Sequence, residues 1–249
     1  MQIDPNEKTP SQQEYLVVIP ARGGSKRLPG KNIRNFGGYP LLAHSIKYAQ
    51  ACDKVGRIIV STDDPGIAEV ARLFGAEVIL RPAFLSSDTA KTGSAIKHVL
   101  QELETKGYKP NGVITLQPTN PLRPPALLGK AITAFEKHSP ESVVSVSPSK
   151  LKIGTIVDGV FVPEGYRVEE RSQDLEKKHF ENGLIYVTRP EVVYKEENVF
   201  GSNIHALEVA EPYANIDIDE EIDFRIGEFL FAQYREVFTW LVEKTRKAS

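Results

Sequence analysis

Short runs rich in Val and Ile recur along the first part of the chain: "YLVVI" (15–19), "RIIVS" (57–61), "AEVIL" (76–80), "GVITLQ" (112–117) and "SVVSVS" (142–147). Each stops at turn residues, and the pattern predicts strands. Between them lie "PLLAHSIKYAQAC", "PGIAEVARLFG", "AKTGSAIKHVLQELETKG" and "PPALLGKAITAFEKH", with apolar residues at i, i+3 and i+4, the period of helices. Pro65, Pro124 and Pro125 stand where a first helical turn tolerates proline, and Gly75 and Gly107 stand where helices stop. Strand–helix alternation of this kind implies an α/β fold, a mostly parallel sheet with helices on both faces. Ligands in such sheets bind beyond the carboxyl ends of the strands, so the loops after the first four strands should share one rim.

The rhythm changes after residue 148. "SPSKLKIGTIVDGVFVPEGYRVEERSQDLEKKHF" is mixed and charged, and it reads as a β-rich arm inserted at about 148–182 into a domain spanning 15–249. Strands at "GLIYV" (183–187) and "IHALEV" (204–209) follow. From about Glu220 to Lys244, Ile222, Ile226, Phe229, Leu230, Gln233, Val237, Trp240 and Leu241 fall along one stripe, predicting a helix packed on the sheet. The opening residues, 1–14, are polar and read as an arm.

Composition narrows the class. A net charge of −2 argues against general nucleic-acid binding, so a basic cluster must be read locally. One cysteine, Cys52, excludes an internal disulfide and a Cys-based zinc cluster, and the five histidines lack metal-ligand spacing. No apolar run approaches the ~20 residues of a membrane span, and the start lacks the features of a secretory signal. A soluble, cytoplasmic protein with no membrane partner is the expectation.

The loop after the first strand, "ARGGSKRLPGKN", carries three glycines, and by Arg34 five cations have passed (Arg22, Lys26, Arg27, Lys31, Arg34) with no acid. Glycines let backbone N–H groups approach phosphates closely, and the cations suit a triphosphate. G-x-G-x-x-G is absent, and the NTPase loop fails too: five residues separate Gly24 from Gly30, and Lys31 is followed by Asn32 rather than the hydroxyl that holds Mg²⁺. A solvated basic loop is the plain alternative. In "NIDIDEEIDF", Asp217 and Asp219 fall on one side of an extended segment as two carboxylates without a neutralising neighbour, which Mg²⁺ would relieve. Equally, Asp219 could cap the final helix. In "STDD", Asp64 suits a helix cap and Asp63 stays undecided. Gln117, Thr119, Asn120 and Arg123 of "LQPTNPLR" offer donors at the rim.

"IPARGGSKRLPGKN", with "RIIVSTDDPGIAEVARLFGAEVILRPAFLSSDTAKT", "LQPTNPLRPP", "SQDLEKKHFENGLIYV" and "NIDIDEEIDF" in order, resembles the CMP-sialic acid synthetases, the acylneuraminate cytidylyltransferases. The resemblance covers nearly the whole chain after residue 14. It implies a Rossmann-like nucleotide-diphospho-sugar transferase fold with a dimerisation arm, hence a homodimer. The implied reaction joins CTP to a sialic-type 2-keto nonulosonic acid, with Mg²⁺, releasing pyrophosphate. Under it, Arg22, Gly23, Gly24, Ser25, Lys26 and Asn32 hold the nucleotide, and Arg81, Ala90 and Thr92 form the cytosine end. Gln117 and Arg171 meet the sugar acid, Asp217 and Asp219 bind Mg²⁺, and Arg22 and Lys31 act in catalysis. Two positions depart from the family, Ser172 for a common arginine and Glu176 for proline. Arg27, where the sialic-acid enzymes usually have Gly, leans toward pseudaminic or legionaminic acid relatives and, faintly, 3-deoxy-octulosonate cytidylyltransferases. A sugar 1-phosphate pyrophosphorylase is the rival enzyme class, and a non-catalytic nucleotide binder the rival outside enzymes.

Overall fold

A computed structural model describes residues 14–87, 89–171 and 173–241; the polar opening through residue 13, Ser172 and the end of the expected last helix lie outside them. Strand β1 (Tyr15–Pro20) leads through the basic loop and a 3₁₀ turn (Lys31–Ile33) into a small hairpin, β2 (Asn35–Phe36) and β3 (Tyr39–Pro40). Then come α1 (Leu41–Gln50), β4 (Val55–Thr62), α2 (Pro65–Leu73), β5 (Glu77–Leu80), α3 (Thr92–Glu104), β6 (Gly112–Thr115) and α4 (Leu127–His138). The second part holds β7 (Ser142–Ser149), the hairpin β8 (Gly154–Val157) and β9 (Val160–Pro163), β10 (Lys178–Thr188), α5 (Pro190–Glu196), β11 (Ile204–Glu208) and α6 (Glu221–Gln233).

Seven strands form one sheet in the order β11-β7-β10-β6-β1-β4-β5. β10 runs antiparallel to both neighbours, while the other pairs are parallel. The mostly parallel α/β expectation therefore holds. Side chains of β1 alternate between two cores: Val17 and Ile19 join the one beneath α1, α2 and α4, and Leu16 and Val18 join the one beneath α3. Asp64 accepts from the Ile67 amide at 2.8 Å and caps α2, with Pro65 in its first turn. Gly75 and Gly107 both take positive φ just past helix ends.

Several expectations change. Pro124 and Pro125 precede α4 instead of opening it: the Pro124 carbonyl accepts from the Tyr48 hydroxyl and from the Leu127 amide. The last helix stops at Gln233, and its stripe divides. Ile222, Ile226 and Phe229 are exposed, whereas Phe224, Gly227 and Phe231 face the core. The reason is the β2–β3 turn, where Gly37 sits at φ 59° and a Cβ there would come within 2.2 Å of the Phe231 ring. After Tyr234 the chain tightens into 3₁₀ turns (Arg235–Val237 and Thr239–Leu241). These set Trp240 against Tyr48 and His44, with ring centroids 5.4 and 5.9 Å away.

Candidate active site

The carboxyl end of β1 and the segments that follow β5 and β6 border a cavity of about 550 Å³. Arg22, Ser25, Lys26, Arg27, Lys31 and Asn32 line it from the basic loop, and Arg81, Ala90 and Thr92 from the segment after β5. Gln117 and Thr119 line it from the exit of β6, and Asp217 and Asp219 from the segment before α6. Residues nearly two hundred positions apart in sequence thus share one cavity.

The loop is fixed from below. The Gly23 amide donates to Asp63 Oδ1 at 3.0 Å, and a Cβ at Gly23 would fall 2.6 Å from Asp64 Oδ2. Asp63 therefore anchors the loop to the second rim segment, and the Gly23 N–H is engaged by it. The Ser25 amide is turned back on the Gly23 carbonyl at 2.9 Å, while around Gly24 the space is open. Asn32 is buried, and its Nδ2 donates to the Arg22 carbonyl at 3.0 Å, closing the loop at its base. Arg22 Nη1 donates to the Ser87 carbonyl, tying the loop to the far wall.

Arg81 is buried, its guanidinium donating to the Ser61 and Leu85 carbonyls. Burial, with the nearby Arg22 charge, pushes it down to about 10 against the pull of Asp63. Arg123 and Asn120, expected as donors at the rim, are buried and structural. Arg123 donates to the Leu184 carbonyl, the Ser45 hydroxyl and the Gln117 carbonyl, and burial lowers it to about 10. Asn120 Nδ2 donates to the Asn182 and Ile216 carbonyls, binding the two segments that follow it. Arg171 lies away from the cavity lining, exposed and paired with Asp174 at 2.8 Å, between β9 and β10.

Asp217 and Asp219 converge as expected, but unequally. Asp219 Oδ1 accepts from Lys31 Nζ at 2.9 Å and Oδ2 from Arg27 Nη2 at 2.5 Å. Lys31 also donates to the Ile218 carbonyl at 2.9 Å. Desolvation raises the Asp219 carboxyl, and the hydrogen bonds and charges of Lys31 and Arg27 outweigh it, so the group sits below its ordinary value. Asp217 opens onto the cavity yet is walled by protein. Desolvation pushes it up, the Asp219 charge adds to that, and a hydrogen bond from Thr119 and the Lys31 charge oppose it. The expectation of two carboxylates without a neutralising neighbour is overturned for Asp219: the neighbours come from the distant loop. Nor does Asp219 cap α6. Glu220 does, in a reciprocal box with Asp223, whose carboxylate also accepts from the Asp219 amide.

Among the described residues no group of three or more His, Cys, Asp or Glu side chains could hold a metal ion alone. Two carboxylates in a cavity also lined by phosphate-binding types of side chain do fit Mg²⁺, which takes one or two carboxylates and fills its shell with substrate phosphates and water. The contacts of Arg27 and Lys31 escaped sequence reasoning because nothing local links positions 27, 31 and 219. The only signal was the unbroken positive charge of the loop.

The sequence profile of the cytidylyltransferase family matches residues 16–224. The CMP-N,N'-diacetyllegionaminic acid synthase of Legionella pneumophila is 36% identical over 89% of this chain and 97% of its own. The pseudaminic acid cytidylyltransferase of Campylobacter jejuni is 31% identical over 74% of this chain and 82% of its own. The N-acylneuraminate cytidylyltransferase of Streptococcus agalactiae is 31% identical over 84% of this chain, which spans only 51% of that longer protein. In fold, the chain is similar to a CMP:2-keto-3-deoxy-manno-octonic acid synthetase solved with CTP, with TM-score 0.69 and 20% identity over 88% of this chain and 99% of that one. A 4-diphosphocytidyl-2C-methyl-D-erythritol synthase follows at TM-score 0.65 and 12% identity, covering 88% and 98% of the two chains. With a basic cavity of nucleotide size at the sheet's rim and a family profile that runs from β1 into α6, the chain belongs to the cytidylyltransferase family.

Proposed function

We propose that the protein activates a sialic-type 2-keto nonulosonic acid with CTP. The anomeric hydroxyl oxygen bonds to the α-phosphorus as its proton passes to water, the bond from that phosphorus to the bridging oxygen breaks, and pyrophosphate leaves. The observation that carries the reading is the convergence of the loop cations, Arg81 and the carboxylate pair on one cavity. Arg22, Ser25 and Lys26 would hold the phosphates, Lys31 would meet charge developing on the leaving group, and Arg81 with Ala90 and Thr92 would border the base. Gln117 lines the same cavity and would meet the sugar acid. Catalysis by such a set is positioning and charge neutralisation, the pattern of phosphoryl transfer. Asp217 and Asp219 would hold Mg²⁺, which when bound supplies further neutralisation at the phosphate under attack.

The lean toward legionaminic or pseudaminic acids rests on Arg27 and on the names of the relatives. A homodimer is part of the proposal. Hairpin β8–β9 leaves Ile156, Val160 and Phe161 exposed, and a second copy would cover them. Among the described residues no helix is long and apolar enough to cross a membrane. A cytoplasmic location remains part of the reading.

Pyrophosphate release from CTP and Mg²⁺ tests it over legionaminic, pseudaminic, N-acetylneuraminic and 3-deoxy-octulosonic acids, with sugar 1-phosphates and UTP or dTTP alongside. Turnover of a nine-carbon acid supports the proposal. Turnover of only the eight-carbon acid, or only of a sugar 1-phosphate, replaces it.

A further inference from the structure

The contacts on Asp219 bear on the order in which the site fills, and they rest on the reading of Asp217 and Asp219 as metal ligands. Both oxygens of Asp219 are engaged, Oδ1 by Lys31 and Oδ2 by Arg27. The two cations are built differently. Lys31 is 12% exposed and carries a second bond to the Ile218 carbonyl, so it is held in the wall. Arg27 is 62% exposed on a loop whose flanking residues bend around positive-φ Gly30, and its guanidinium has room to swing. Asp217, two residues back, is the member of the pair whose charge is least compensated.

A divalent cation arriving alone would have to approach a carboxylate flanked by two positive charges within hydrogen-bond distance. A triphosphate arriving first changes that balance. It brings several negative charges into the cavity that Arg27 and Lys31 also line, and a planar guanidinium binds phosphate oxygens as well as it binds a carboxylate.

We propose that Arg27 closes Asp219 against divalent metal until the nucleotide triphosphate draws the guanidinium away, so that the metal site opens only once the nucleotide is in place. The same side chain then serves two partners in turn, the carboxylate in the empty site and the phosphates in the filled one. Arg27 is thereby a positioning residue with opposite effects on the two ligands: it opposes metal alone and favours nucleotide alone. Reciprocity of coupled binding then requires metal to raise nucleotide affinity by the same factor by which nucleotide raises metal affinity.

Mn²⁺ binding to the full chain without nucleotide, read by electron paramagnetic resonance, is the first measurement. Arg27→Gln is expected to tighten it about tenfold, and Asp219→Asn added to that variant should remove the gain. The second measurement is calorimetric titration of metal-free CTP in EDTA, which Arg27→Gln should weaken severalfold. Lys91→Gln removes an equal charge from the α3 side of the same cavity and should leave Mn²⁺ binding near that of the wild type. An equal gain from Lys91→Gln overturns the proposal, since general charge and not the Asp219 contact would then govern the metal. So does an unchanged Mn²⁺ affinity in Arg27→Gln while wild type binds CTP normally, which leaves the cytidylyl-transfer reading standing. Failure of the wild type to bind CTP at all removes that reading and the gate with it. Because Arg27 is exposed, circular dichroism should show its variant folded.

Discussion

Strand β1 and the β8–β9 hairpin are both built from Val, Ile and an aromatic, yet Leu16 to Ile19 are 0% exposed while Ile156, Val160 and Phe161 are 77, 63 and 51% exposed. Local preference makes strands of both; neighbours decide what becomes of them. β1 has a strand on each side and helices above and below, whereas β8 pairs only with β9. A lone two-stranded hairpin is marginal in water. Strand β10 spans the two regimes: Leu184, Ile185 and Val187 are buried in the sheet, and Phe180, before the kink at Asn182 and Gly183, is exposed. Under the proposed function, the covered region carries the chemistry and the uncovered one the contact with a second copy.

The sharpest way to break that division is at the rim of the covered region. Asp217→Asn with Asp219→Asn should lower pyrophosphate release by about 10³-fold or more, while the thermal midpoint moves by only a few degrees. Near-normal rates would move the chemistry elsewhere. Next in size, Leu184→Ala should cost roughly 3 kcal/mol in urea unfolding, against no more than about 0.5 kcal/mol for Ile156→Ala at low protein concentration. If the proposed homodimer forms through this hairpin, Ile156→Ala should instead raise its dissociation constant in sedimentation velocity, and equal stability losses at the two sites would erase the contrast. A third test uses His44, enclosed by Phe36, Phe231, Tyr39 and Trp240, with Nε2 bonded to the Phe36 carbonyl. Burial, helped by the Arg123 charge and opposed by that carbonyl, lowers it to about 4. The folded chain thus prefers neutral His44, so stability is complete above the unfolded value near 6.5 and is lost as pH falls from there toward 4. At pH 5 the loss should be about 2 kcal/mol, and His44→Phe should reduce this acid dependence. Among the covered sites the smallest loss is expected from Asp64→Ala, which removes the cap of α2 and should cost about 1 kcal/mol in urea unfolding.

Much of the covered region was legible in the chain because its signals are local. "YLVVI" and "RIIVS" announce strands, and "PGIAEVARLFG" announces a helix with its start and stop. What was illegible is non-local. Nothing in "GLIYV" says that it runs antiparallel between two strands distant in sequence. The short α5 and the β2–β3 hairpin were too brief for a period to emerge. Ile222, Ile226 and Phe229 looked like a buried stripe because period alone does not say which face is covered; Gly37, admitting Phe231, decides it. At the site, the loop and the carboxylates were visible as types of residue. The asymmetry between Asp217 and Asp219 was not, since it comes from cations 188 and 192 positions away.

Arg123 joins three stretches of chain by one planar group: the carbonyl of Gln117 at the cavity, the carbonyl of Leu184 in β10 and the hydroxyl of Ser45 in α1. Opening any one of them would leave a buried cation short of an acceptor, a penalty of roughly several kcal/mol. Fluctuations of these segments are therefore tied into a single cooperative unit, and their amides should exchange with solvent water together, at the rate of global unfolding. A catalyst resting on such a foundation has to take up its substrates through motion of the loops above Gln117, because the ground beneath them yields only with the whole sheet.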